Sequence, residues 1–263
     1  ASLTKPVVCA TSIMLLVERG RLKIGDRVSN YIPAFAANDK ADITVEHLVT
    51  MQAGLERTSG ANYGPWVNSR NWVANALGRP FVAEPGARML YSTGSFHVLG
   101  AVLAEISGQS LLTLARRRLG DPLGIDIPAW TRAPQGYFLG GNEMALTLEA
   151  MVRFGEMYRQ NGSYDGQQVL SRDWIQTSLK PRTRSQWSGL RYGYGWFLGN
   201  AAGVDYAMAR GYGGQIICVA PDVALTLAIT SDPTLPARSG GYFGDLKNLV
   251  ERQVLPLAQS QMG

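Results

Sequence analysis

Apolar positions recur every three to four residues through the first 160 residues of the chain, then switch to short runs with strand character. From residue 2 to 19, Val7, Val8, Ala10, Ile13, Met14, Leu16 and Val17 mark one helix. Pro6 fits its first turn, where a missing N–H costs nothing, and Gly20 closes it. Residues 24–43 are turn-rich. Thr44 caps a helix reaching about Ala53, ended by Gly54. A polar, aromatic loop over 56–68 carries Tyr63 and Trp66. Further helices are predicted over 70–77, 95–106, 110–119 and 147–160, with 120–146 irregular around Gly140-Gly141-Asn142. Strand-like runs follow at 192–198, 204–210, 215–220 and 224–231, joined by Gly, Asn, Pro and Asp. Such close spacing predicts antiparallel hairpins. Residues 244–257 return to a helical period.

This order predicts an α+β fold: a first helix, a mostly helical middle, an antiparallel sheet and a last helix. Residues 1–20 and 165–263 are expected to form the sheet region, and 21–164 the helical one. There is no internal repeat and no low-complexity linker. Within 263 residues, 46% hydrophobic and 17% charged content excludes a disordered chain. No run of about 18 apolar residues offers a membrane span. The net charge of +5 is dispersed, and Arg116-Arg117-Arg118 reads as a solvated helix face. Without a basic stripe or spaced aromatics, a nucleic-acid partner is not expected.

With two His and two Cys, no zinc-ligand spacing exists, and no metal is expected. Cys9 and Cys218 sit in apolar runs and read as buried thiols, which leave the compartment open. His47 and His97 lie inside helical patterns without a G-x-S-x-G turn, so each reads as structural. Phosphate loops and paired glycosidase acids are missing too. What remains is Ser2-Leu3-Thr4-Lys5. On a helix, positions i and i+3 face each other at about 5–6 Å. A serine hydroxyl needs a base to become a nucleophile, and a lysine of lowered pKa can be that base. Alone, the spacing equally describes a capping serine and a surface lysine. Two other segments bear on it. Tyr91-Ser92-Thr93 precedes a helix, where a phenol can enter a cleft or simply pack. Arg210-Gly211-Tyr212-Gly213-Gly214-Gln215 leads into a strand whose N–H can meet an oxyanion, or is only a hairpin turn.

The ordered set resembles the serine β-lactamases of class C type, with related penicillin-binding proteins, D-amino peptidases, esterases and 6-aminohexanoate-dimer hydrolases. Thr44-Val45-Glu46-His47-Leu48-Val49-Thr50-Met51-Gln52-Ala53-Gly54-Leu55 is similar to the family's T-I-R-H-L-L-T-x-x-S-G-L. Tyr91-Ser92-Thr93-Gly94 through Gly108-Gln109-Ser110 is similar to its tyrosine motif and helix, and Tyr192-Gly193-Tyr194-Gly195-Trp196 also matches. The resemblance implies a β-lactamase/transpeptidase-like fold, an antiparallel sheet flanked by helices. By position it makes Ser2 the acylated nucleophile, Lys5 its proton acceptor and Tyr91 the shuttle. It assigns the oxyanion hole to the backbone N–H groups of Ser2 and Gln215, and puts Tyr212-Gly213-Gly214 where the family has Lys/His-Thr/x-Gly.

Two departures shape the expected substrate. Thr93 stands where the family has Asn and lacks its NH₂ donor. Tyr212 replaces a cation, which leaves Arg210 as the nearest replacement charge for a substrate carboxylate. Both favour an esterase or small-amide hydrolase over a true β-lactamase. The alternative is a non-catalytic module sensing peptidoglycan or β-lactams on the same fold. No cofactor is implied. The expected partner is a small ester, amide or β-lactam, the expected state a monomer, and the resemblance suggests a periplasmic or secreted location. Trp66, Trp72, Tyr63 and Gly140-Gly141-Asn142 are candidates for the cleft wall. Family members carry some tens of residues before the nucleophile, so the first strands are expected to be missing here and the chain to be less stable for it.

Overall fold

A computed structural model describes residues 1–10, 12, 13, 17, 19–36, 39–232 and 241–262. The first helix, α1, is Lys5–Ala10, wound as a π-helix. It follows a tight turn in which the Lys5 N–H donates to the Ser2 carbonyl at 3.1 Å. α2 (Val45–Val49) starts at Thr44, whose hydroxyl accepts from the His47 N–H while the His47 side chain accepts from the Thr44 N–H. That reciprocal cap fixes the start. The helix is shorter than the sequence pattern predicts, because Met51 turns to a left-handed φ of 62°. α3 (Tyr63–Val67) and α4 (Trp72–Leu77) follow, the latter capped by Asn71.

α5 (Thr93–Ser107) is apolar on all sides and ends at the left-handed Gly108. A helix of that kind belongs in the middle of a core. Its own Phe96, Val98, Leu99 and Leu103 are all essentially inaccessible. Burying each such side chain contributes about 1.5–3 kcal/mol. α6 (Leu111–Ala115) is capped by Ser110 and continues as a π-helical turn through Arg116–Gly120. There Arg116 and Arg117 are exposed. α7 (Leu148–Arg159) is capped by Thr147 and is amphipathic. Its Gly155 sits directly against Ile217 and Thr226 of the sheet.

A small hairpin, β1 (Ser163–Tyr164) and β2 (Gln167–Gln168), and α8 (Arg172–Ser178) lead to the sheet. Its strands are β3 (Thr183–Arg184), β4 (Arg191–Tyr192), β5 (Phe197–Ala201), β6 (Val204–Gly211), β7 (Gln215–Ala220) and β8 (Leu225–Ile229). They lie in chain order and every neighbouring pair is antiparallel. Gly211 faces Gln215 in register, and Met208 faces Cys218. The final helices run over Tyr242–Leu249 (α9) and Leu255–Ser260 (α10), joined by a π-helical turn at Val250–Val254.

The predicted run over 192–198 is two strands, not one. Gly193-Tyr194-Gly195-Trp196 separates them, and Gly195 takes a φ of 88°. A Cβ there would lie 3.0 Å from the Pro6 Cα, so only glycine lets this turn rest on α1. The sheet is thereby seated against the helix that carries Lys5. Cys218 is a free, buried thiol that burial pushes up to about 12. The side chain of Cys9 lies outside the described residues. Among the described residues no single helix is long and apolar enough to cross a membrane.

Candidate active site

Ser2 and Lys5 lie one turn apart, and the Lys5 Nζ donates to the Ser2 Oγ at 2.8 Å. Lys5 is 1% exposed. A second hydrogen bond of 2.8 Å runs from its Nζ to the carbonyl oxygen of Gly141. The loop carrying that carbonyl is stitched to the turn that holds Ser2. The Ser2 Oγ donates to Asn142 Oδ1 at 3.3 Å, and the Met144 N–H donates to the Thr4 hydroxyl at 3.2 Å. Asn142 Nδ2 in turn donates to the Tyr63 hydroxyl at 3.1 Å. Gly141 is required by close approach. A Cβ there would meet the Thr93 carbonyl oxygen at 2.7 Å, pushing the loop and its carbonyl away from Lys5.

Tyr91 completes the cluster. The Lys5 Nζ is 5.0 Å from its ring centroid. Burial alone would push the phenol up, but the Lys5 charge, polar contact with the Ser2 hydroxyl and the Arg210 charge outweigh it. The phenol is therefore held below its ordinary value. Tyr91 is positioned by the start of α5. The Leu90 N–H donates to the Met51 carbonyl at 2.8 Å. The Gly94 N–H donates to Thr58 Oγ1 at 2.7 Å, and the Thr93 N–H donates to Ser59 Oγ at 2.9 Å. Loop residues thus satisfy N–H groups that a helix cannot pair internally. Thr93 also shares a 3.0 Å hydroxyl–hydroxyl bond with Ser59.

On the other side, Tyr91 stacks on Phe197, with centroids 6.4 Å apart. Phe197 meets the buried Tyr192 edge-on at 4.9 Å. Burial and the neighbouring Tyr91 push the Tyr192 phenol well up, so it stays protonated. Arg210 reaches the same place from the end of β6. Its guanidinium lies 4.1 Å from the Trp187 ring and 3.9 Å from that of Phe243.

These groups surround a cleft of about 570 Å³, lined among others by Ser2, Ser59, Tyr63, Tyr91, Thr93, Asn142, Arg210 and Tyr212. The structure thus brings Ser2, Lys5, Tyr91, Thr93 and Tyr212 together. Tyr212 is 62% exposed at the rim. Gly213 and Gly214 form the turn behind it, where the Gly214 carbonyl accepts from Ser231 Oγ at 3.0 Å. Gln215 opens β7 opposite Gly211, and its side chain folds over Gly211.

Trp66 and Trp72 are not cleft residues. Both are buried and cage His97, at ring distances of 5.7 and 5.4 Å. Their indole N–H groups donate to the carbonyls of Trp72 and Val67, which fixes them as packing residues. Among the described residues neither ring nitrogen of His97 has a hydrogen-bond partner, and burial lowers its pKa to about 4. His47 stays in its capping role. Thr58, Ser59 and the orientation of Arg210 were not predicted from sequence. The Ser-Thr content of 58–59 was a signal only once the loop's place beside Thr93 was known. Among the described residues no group of three His, Cys, Asp or Glu side chains is arranged to hold a metal.

The family model for beta-lactamase matches residues 1–242. The chain belongs to the beta-lactamase family. It is 27% identical over 257 residues to penicillin-binding protein 4 of Amycolatopsis lactamdurans, covering 80% of this chain and 65% of that protein. It is 29% identical over 143 residues to esterase EstB of Burkholderia gladioli, covering 48% of this chain and 36% of the esterase. The chain therefore spans under two thirds of either relative. The structure of a Bacillus anthracis protein, provisionally assigned as a 6-aminohexanoate-dimer hydrolase, superposes with a TM-score of 0.83 at 19% identity. That match covers 100% of this chain and 72% of the other, and at such identity it establishes the β-lactamase-like α+β fold.

Proposed function

We propose that the chain is a serine hydrolase that cleaves an ester or amide through an acyl-enzyme on Ser2. The observation carrying this reading is the 2.8 Å contact between the Lys5 amine and the Ser2 hydroxyl, with the Tyr91 phenol in the same network. As the Ser2 oxygen bonds to the substrate carbonyl carbon, its proton passes to the Lys5–Tyr91 pair. The pair returns a proton to the leaving oxygen or nitrogen as that bond breaks. A water then gives a proton to the pair, adds to the acyl carbon and releases Ser2, which recovers its hydrogen. General-base assistance of this kind contributes about 10²–10⁴-fold. The Ser2 and Gln215 N–H groups are the proposed oxyanion donors, the second supplied by the first residue of β7.

Esters and small amides fit better than β-lactams. Thr93 offers no amide donor and its hydroxyl is engaged by Ser59, while Tyr212 brings no charge. The test is Ser2→Ala with p-nitrophenyl butyrate, nitrocefin and a D-alanyl peptide, with intact-mass detection of acylation. Wild-type turnover of the butyrate ester and fluorophosphonate labelling are expected, both abolished by Ser2→Ala. Labelling that persists in the variant removes Ser2 from the role. Stoichiometric acylation without release would instead identify a sensor on the same fold.

A further inference from the structure

We propose that Glu143, with the Tyr63 ring in the same wall of the cleft, receives an organic ammonium group, so that the preferred esters or amides are cationic. This rests on the hydrolase reading and names its substrate class. Glu143 and Tyr63 line the same cleft as Ser2 and Tyr91, and among the described residues lining it Glu143 is the one carboxylate. Glu143 is exposed and enters no ion pair among the described residues. Arg210, the cation in the same lining, packs instead against the rings of Trp187 and Phe243 at 4.1 and 3.9 Å. The backbone gives a second sign. Glu143 holds a left-handed φ of 75°. That region is uncommon for any residue but glycine, and the exceptions are mostly asparagine, aspartate and histidine. The loop imposes it from both sides. The Asn142 side chain accepts from the Ser2 Oγ and donates to the Tyr63 hydroxyl, and the Met144 N–H donates to the Thr4 hydroxyl. Glycine would make the same turn without strain, so the fold itself has no use for this carboxylate.

Its charge covers the wall next to the reacting oxygen. Burial pushes the Tyr63 phenol up, the Asn142 hydrogen bond lowers it, and the Glu143 charge raises it again. Burial pulls the Ala1 amino group down, and the same carboxylate opposes that. An amine at that place, one residue from Ser2, is thus within the carboxylate's field, and a cation there is favoured over a neutral group. Tyr63 adds the face of an aromatic ring, which attracts organic ammonium ions. The ring is held in an edge-to-face contact with the buried Trp66 at 5.8 Å. Its hydroxyl is held by Asn142. Carboxylate and ring together make a wall that suits a methylated or primary ammonium close to the scissile carbonyl.

The experiment uses two pairs of esters that differ only in charge. One is the p-nitrophenyl ester of γ-trimethylammonio-butyrate and its isostere with carbon in place of the quaternary nitrogen, which puts the charge in the acyl part. The other is butyrylcholine and its carbon isostere, which puts it in the leaving group. Wild type is expected to prefer the charged member of at least one pair, in kcat/KM, and raised salt should shrink that preference. In Glu143→Gln the ratio should fall about fivefold, the upper scale for an exposed charge pair, and Glu143→Lys should invert it. Equal rates within both pairs, or a preference that survives Glu143→Gln, would overturn the ammonium site. Choline, but not its carbon isostere, should bind Ser2→Ala in ligand-observed NMR, and Glu143→Gln added to that variant should abolish the signal. That binding without turnover of any ester would leave the ammonium site standing and remove the hydrolase reading. Ester turnover with neither charge preference nor choline binding does the reverse. Should Glu143→Gln fold poorly, Glu143→Gly, which the left-handed φ accommodates, repeats the test.

Discussion

Two buried bases differ in the company they keep. Lys5 and His97 are exposed to 1% and 0%. The Lys5 Nζ meets a backbone carbonyl and a serine hydroxyl at 2.8 Å each. His97 meets indole rings, and neither of its nitrogens is hydrogen-bonded among the described residues. Burial by itself disfavours charge on a base. At His97 nothing opposes it, so the imidazole is neutral and packs as an aromatic. Around Lys5 the loop at Gly141 and Asn142, the turn at Ser2 and the phenol of Tyr91 supply polar partners. A network of that kind can pass a proton, and a dry cage cannot. The supply of partners, more than depth, separates a polar cluster from a packed one.

The sharpest way to break this contrast is to remove the base from the wet cluster. Lys5→Met keeps the volume but leaves the Gly141 carbonyl and Ser2 hydroxyl without a donor. Ester turnover should fall by about 10³-fold or more, read as kcat/KM, with the thermal melt still cooperative. Retained turnover would assign the proton to another group. Tyr91→Phe should cost about 10²-fold. It should also change the pH profile. The phenol ionises below its ordinary value, so activity that uses its ionised form rises with pH through that depressed range. The variant should lose this limb. An unchanged limb in Tyr91→Phe would place the titration elsewhere.

Much of this contrast was legible in the sequence, and the rest was not for identifiable reasons. The cap at Thr44, the helix starts near Ser110 and Thr147, and the bounds of β7 follow from side-chain oxygens and strand-favouring runs that act locally. The Ser2–Lys5 spacing survived because a helical turn brings i and i+3 together whatever surrounds it. Tyr91 was found by resemblance, since nothing local tells a phenol in a cleft from one in a core. The tryptophans went the other way. Trp66 falls in the predicted polar loop and Trp72 in the helix predicted after it, yet both sit in short helices, their N–H groups find backbone carbonyls and they cage His97. The break at Gly195 depends on Pro6, and the direction of Arg210 on Trp187 and Phe243, all contacts between distant segments. Periodicity carries no record of those.

The dry cage makes its own prediction. An ordinary histidine titrates near 6.5, and His97 near 4. Between those values the unfolded chain binds a proton that the folded one refuses. Stability from this residue is therefore full above pH 6.5 and is lost as pH falls toward 4, by about 3 kcal/mol in all. Urea melts at pH 7 and pH 4.5 should show most of that loss in wild type and little of it in His97→Phe. Equal losses would mean the ring is hydrated in solution. Glu156, held down to about 2 chiefly by its Arg159 hydrogen bond, acts at lower pH and does not confuse the comparison.

The smallest effect tests how far the wet cluster depends on its supports. Thr58 Oγ1 accepts from the Gly94 N–H at 2.7 Å and shares a 3.1 Å bond with the Ser92 hydroxyl. Thr58→Val keeps the shape and removes both, leaving a buried N–H at the first turn of α5 unpaired. The cost should be about 1–2 kcal/mol. Because Tyr91 immediately precedes Ser92, a loosened first turn also loosens the phenol. kcat should drop by about tenfold while KM for the butyrate ester hardly moves, as small misplacements of a reacting group act on the chemical step. A stability loss without a kcat loss would show that Tyr91 is positioned by Phe197 and Lys5 alone, and that the polar cluster ends at its first ring of partners.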